Sequence, residues 1–142
     1  MSRKKIMVLH ILCPLAVGAL VYCLASPDVF FIQKAGAFIG AAGSGHVFPT
    51  DSVLLRLVRN YLPDMMWGYS LVFALFYIIG NIAADIRKVF WVAFPFSAMM
   101  EMMQKTSFIL GTFDVWDIFV EFLAEVIAVY IIHKLYSNRE EI

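Results

Sequence analysis

Charge is what this chain has least of. Lys, Arg, Asp and Glu make up 15% of its 142 residues, and eleven basic residues offset eleven acidic ones. A neutral chain offers no basic patch to neutralise a phosphate backbone, which excludes nucleic acid as a partner. Cysteine is scarce as well: Cys13 and Cys23 are the only two. On one helix they are separated by about 15 Å of rise, too far for a disulfide, and they do not reveal a redox compartment. The sequence contains no HExxH, CxxC, Gly-x-Ser-x-Gly or P-loop pattern. The common zinc, serine-hydrolase and nucleotide chemistries therefore have no support.

What is there is apolar. Hydrophobic residues are 62% of the chain and the mean hydropathy is +0.81, against roughly 45–50% apolar and about 25% charged residues in an average soluble domain. A water-soluble chain near ~150 residues buries only about 70% of its unfolded surface. The expected solvent is a lipid bilayer. The expected fold is an all-α integral membrane protein, one domain over residues 1–142, with four transmembrane helices at about 6–25, 63–80, 88–106 and 114–136 and an interfacial or re-entrant segment at 29–62.

The first apolar run, Ile6 to about Ala25, is long enough for ~30 Å of hydrocarbon. Pro14 should kink it. The charged start, Arg3 to Lys5, resembles that of a signal peptide, but Pro27 disfavours cleavage after Leu24, Ala25 and Ser26, so the segment reads as a retained helix. Gly36, Gly40, Gly43 and Gly45 weaken any helix over Val29–Phe48, although Gly36 and Gly40 have the spacing of a close helix contact. Thr50 or Asp51 can cap a short amphipathic turn on the membrane surface, with Leu54, Leu55, Leu57, Val58, Tyr61 and Leu62 on one face and Arg56, Arg59 and Asn60 on the other. Pro63 suits a first helical position, and Asp64 then sits in a first turn where negative charge is favoured. Seven basic residues on one side (Arg3, Lys4, Lys5, Arg87, Lys88, Lys134 and Arg139) against four on the other (Lys34, Arg56, Arg59 and Lys105) favour cytoplasmic termini in a multi-pass protein.

The acids gather on the opposite side. Eight of eleven carboxylates (Asp28, Asp51, Asp64, Glu101, Asp114, Asp117, Glu121 and Glu125) belong to the outer side or the outer half of the bilayer. Ionisable groups at that depth cost about 2.5–3.5 kcal/mol each at a helix centre and usually face a protein interior. Glu101 and Gln104 are three apart on the third helix, and Asp117 and Glu121 are four apart on the fourth, so each pair shares one helix face. A hairpin brings those faces together. Bland roles compete. Asp114 and Asp117 have the spacing of a helix cap, Lys105 is one turn from Glu101 and can neutralise it, and Glu125 can be a hydrogen-bonded interior group. His46, His10 and His133 read as isolated side chains, and Met99, Met100, Met102 and Met103 as a soft packing surface.

Glu101-Met-Met-Gln104, then Gly111-Thr-Phe-Asp114-Val-Trp-Asp117, then Glu121 and Ala124, together with Tyr61-Leu-Pro-Asp64, Trp67 and Tyr69-Ser70, resemble the VanZ-like membrane proteins, over residues 61–130. The resemblance makes this chain a short, divergent member. Thr112 stands where that family has Arg, Glu121 where it has Asn, and Ala124 and Ala128 where it has glycines. A lost cation and a gained acid make the site more negative and favour a positive ligand. The family's association is with teicoplanin resistance in bacterial envelopes, so the resemblance implies a bacterial inner-membrane protein working near the outer leaflet without implying a reaction.

Three functions are weighed. The first is an accessory binding protein whose pocket of Glu101, Gln104, Asp114, Asp117, Glu121 and Asp64 takes an envelope lipid, a glycopeptide-type drug or a partner membrane protein. The second is a membrane enzyme using those carboxylates, with or without a divalent cation, on a lipid-linked substrate. The third is a small subunit of a transporter complex. Catalytic residues, metal and cofactor stay open on the sequence alone.

Overall fold

The computed structural model describes residues 2–25, 52–80, 85–106 and 113–137. The readings above for Val29–Phe48, for a cap at Thr50 or Asp51, for His46 and for Gly111 and Thr112 lie outside these residues. Among the described residues all regular structure is helical, in four elements: α1 (Arg3–Ala25), α2 (Val53–Ile79), α3 (Asp85–Lys105) and α4 (Val115–Ser137). Three of the four agree with the sequence expectation to within a few residues.

The second differs. α2 begins at Val53 rather than Pro63 and runs for 27 residues, about 40 Å at 1.5 Å per residue. Leu54, Leu55, Arg56, Leu57 and Arg59 are good helix formers, and they carry the helix upstream through Pro63, which is buried inside it. The amphipathic stretch expected as a separate surface turn is thus the leading part of α2. Asp64 falls in the helix interior, so the first-turn explanation for it does not apply.

The helices alternate in direction. Gly18 on α1 packs against Pro63 and Met66 of α2, whereas His10 meets Tyr69 and Phe73, so α1 and α2 are antiparallel. On α2 and α4, Tyr61 reaches Asp114, Gly68 packs on Glu121 and Phe76 meets Tyr136, which makes that pair parallel. Phe94 packs on Phe122 and Ser97 reaches Glu125, while Lys105 lies over the Phe113 ring, so α3 and α4 are antiparallel. α2 is the hub, packed against each of the other three helices. The start of α1 and the end of α4 share one end of the bundle, where the Arg3 guanidinium lies 4.8 Å from the Tyr136 ring centre.

Pro14 is accommodated by a neighbouring helix. Pro14 has no N–H for the His10 carbonyl and crowds the preceding turn. Buried Ser70 donates its hydroxyl to the adjacent Ile11 carbonyl at 3.1 Å, supplying from α2 a bond to the disturbed stretch. The close α2–α4 approach depends on Gly68: a Cβ there would stand 3.3 Å from the Glu121 carbonyl oxygen and 3.4 Å from its Cα.

The bundle has two unlike halves. One holds the apolar core: Met7 from α1, Val72, Phe73 and Phe76 from α2, Ile86, Val89 and Ala93 from α3, and Ala128 and Ile132 from α4. The other holds the buried polar groups. Outside, the chain is greasy. α1 and α2 are long and apolar enough to cross a membrane by length and composition, and only 11% and 33% of their most apolar windows are buried. A helix at the centre of a soluble protein buries most of that surface; these leave it exposed.

Candidate acidic site between α2, α3 and α4

The buried face of α4 reads Glu121, Ala124, Glu125, Ala128 and Ile132, the three- and four-residue spacing of one helical stripe. Alanines at 124 and 128 let neighbours approach, and the two glutamates on the same stripe, Glu121 and Glu125, are thereby carried into the interior. Glu121 is 3% exposed and Glu125 fully buried. From α3, Glu101 is 5% exposed and Ser97 1% exposed. These positions are four apart, so they too share a face.

The hydrogen bonds are few. Ser97 Oγ donates to Glu125 Oε1 at 2.9 Å, and to the Phe94 carbonyl at 3.1 Å in its alternative orientation. Gln104 Nε2 donates to Glu101 Oε1 at 2.7 Å, the contact their three-residue spacing predicts. The second oxygen of each of Glu101, Glu121 and Glu125 is buried without a hydrogen-bond partner among the described residues. Such orphaned acceptors cost about 1–3 kcal/mol each, more when charged, and they are uncommon enough to require a reason.

Half-buried Asp64, Gln104, Asp114 and Asp117 surround this interior. Asp64 lies within Coulombic reach of Asp117 and Glu101, Glu101 of Asp117 and Asp114, and Glu121 of Glu101, Asp64, Glu125 and Asp117. All six sequence candidates therefore gather at one end of the bundle, from three helices. Asp114 has a local task as well: its Oδ1 accepts the Trp116 backbone N–H at 3.0 Å, capping α4. Its Oδ2 meets the Tyr61 hydroxyl at 3.5 Å.

No side-chain cation of the described residues pairs with this cluster. Lys105 turns to the Phe113 ring, 5.5 Å from its centre, so the expected neutralisation of Glu101 does not form. The described Lys88–Asp85 pair, at 3.1 Å, is at the start of α3, the opposite end of the bundle. Among the described residues, no three His, Cys, Asp or Glu side chains are arranged to hold a metal ion. Six acids drawn together, three of them buried, repel one another when charged, and burial of charge is tolerated only with a counter-charge or a proton. Among the described residues no side chain supplies that counter-charge.

Neither a protein-family model, a curated protein nor a solved structure matches the chain.

Sequence reasoning passed over two members of this site. Ser97 gave no signal, because its only relevance is packing against Glu125, 28 residues away. Gly68 is one small residue in an apolar run, and its role is visible only once α4 lies on it.

Proposed function

We propose that this chain is a bacterial inner-membrane protein of four spanning helices, with both termini cytoplasmic, and that its acidic site binds the cationic headgroup of an amine-bearing envelope lipid near the outer leaflet. The observation that carries the reading is the three buried glutamates, each with an oxygen that has no partner, and with no neighbouring cation, among the described residues. An alkylammonium brings one positive charge and three N–H donors. It can satisfy several of those acceptors at once without the ligand cage that a divalent metal requires. The exposed apolar surface supports the membrane setting, as does the separation of charge. Arg3, Lys4, Lys5, Arg87, Lys88 and Lys134 sit at the end opposite the acids, on the side that a positive-inside bias assigns to the cytoplasm. The resemblance to VanZ-like proteins supports an accessory role in the envelope, including altered response to glycopeptide drugs.

The test is lipid retention. The protein is purified from bilayers containing phosphatidylethanolamine and phosphatidylglycerol, and the lipids left on it are weighed by native mass spectrometry. The reading expects retention of the amine-bearing lipid and loss of that preference in Glu121→Gln and in Glu101→Gln. Equal retention of both lipids by the unaltered protein overturns it.

A further inference from the structure

The outer face between α1 and α2 carries a groove of about 290 Å³ that the acidic site does not use, lined by Leu9, His10, Cys13, Pro14, Met66 and Tyr69. Three of these side chains are donors for soft metals: a thiol, a thioether and an imidazole. His10 and Cys13 are three apart on α1 and share a face. Met66 comes from α2, where its Cβ packs opposite Gly18. Cys13 is a free, exposed thiol.

His10 is held firmly. Its ring stacks on Phe73 with centres 4.6 Å apart and planes 8° from parallel, and its Nδ1 lies 2.7 Å from the Tyr69 hydroxyl. Tyr69 occupies Nδ1, and among the described residues no hydrogen bond engages Nε2; in the tautomer with Nδ1–H donating to the Tyr69 oxygen, Nε2 carries the lone pair. Metal-binding histidines are oriented in this way, by an outer hydrogen bond that fixes tautomer and ring.

We propose that this groove binds one monovalent soft metal ion, of the Cu(I) or Ag(I) class, through Cys13 Sγ, Met66 Sδ and His10 Nε2. Soft thiolate and thioether ligands select such ions over hard ones. Charge selects the monovalent ion: M⁺ replaces the Cys13 thiol proton, which leaves to the aqueous phase that supplied the ion, so thiolate and M⁺ make a neutral complex. Met66 and His10 add no charge. A divalent ion in the same ligands leaves a net positive charge on an apolar face, where isolated charge is expensive. No oxidation or reduction is involved.

The experiment uses full-length protein in lipid nanodiscs. Cu(I) is titrated against a chromophoric chelator, and Ag(I) is tested separately for protection of Cys13 from maleimide. One ion per chain is expected. Cys13→Ser should weaken binding about 100-fold or more, Met66→Leu about 10-fold, and Tyr69→Phe about 10-fold through loss of the imidazole's orientation, the range seen when outer partners of metal ligands are removed. Cys23→Ser should bind as the unaltered protein does. Cys13 is exposed, so its serine variant has no packing to lose, and an unchanged circular dichroism spectrum is the check. Equal affinity in the unaltered protein and Cys13→Ser overturns the proposal, and so does failure to bind one equivalent. Zn(II) bound more tightly than Ag(I) refutes the charge argument. None of these results touches the lipid reading, which rests on the acids of α2, α3 and α4 and on none of these side chains.

Discussion

Removing one hydroxyl from α3 should unsettle the interior of the acidic site. Ser97 is 1% exposed, and among the described residues its Oγ supplies the only hydrogen bond to the fully buried Glu125 carboxyl, at 2.9 Å. Ser97→Ala leaves both Glu125 oxygens without a partner. A buried acceptor left unsatisfied costs about 1–3 kcal/mol. Hydrogen bonds between helices within a bilayer average nearer ~0.6 and reach about 1.7 kcal/mol, so a loss of about 1–2 kcal/mol is expected. Removing the acid as well should restore stability, because replacing both partners by apolar groups is nearly neutral. Ser97→Ala, Glu125→Met and their combination are therefore compared by reversible unfolding in mixed micelles titrated with sodium dodecyl sulfate. The double variant should cost clearly less than the two single variants summed, by about 1 kcal/mol or more. Strict additivity, or a Ser97→Ala variant as stable as the original, refutes the claim that this pair is a mutually satisfied interior contact.

Other substitutions test the packing that positions the site. Gly68→Leu should separate α2 from α4 and cost about 1–3 kcal/mol by the same unfolding titration, because the atoms 3.3–3.4 Å from the new Cβ are largely Glu121 backbone and cannot rotate away. Gly80→Ala should destabilise by a similar amount, since its Cβ would come within 2.5 Å of the buried Phe76 ring. Phe73→Ala opens a cavity in the core and should cost about 3–5 kcal/mol while also removing the stacking partner of His10. Retained unfolding midpoints in these variants would contradict the helix arrangement.

The acids on α3 and α4 were legible in the sequence because helical spacing alone puts Glu101 with Gln104 and Asp117 with Glu121. Their meeting across a hairpin followed from the short connection. Asp64 was harder to read. Its neighbour Pro63 is a favourable helix start, and a first-turn acid needs no further explanation; only the ten helical residues before Pro63 remove that explanation. The Glu101–Lys105 pair was a sound local expectation that lost to an aromatic neighbour, because Phe113 arrives from the far side of the α3–α4 connection. Local periodicity says which residues share a face of one helix. It does not say which serine or glycine on another helix will lie opposite, and Ser97, Gly68 and the His10–Tyr69 contact all depend on that second step.

The central claim is that an ammonium group sits against the buried glutamates. The direct measurement is a solid-state NMR dipolar recoupling experiment on the protein in bilayers whose ethanolamine headgroups carry ¹⁵N, observing side-chain carboxyl ¹³C of glutamate. Recoupling to a nitrogen within about 4 Å, the range of an ion pair, is predicted for the unaltered protein and should disappear in Glu101→Gln/Glu121→Gln. No recoupling to any glutamate carboxyl in the unaltered protein, with the headgroup label present in the bilayer, would contradict the account.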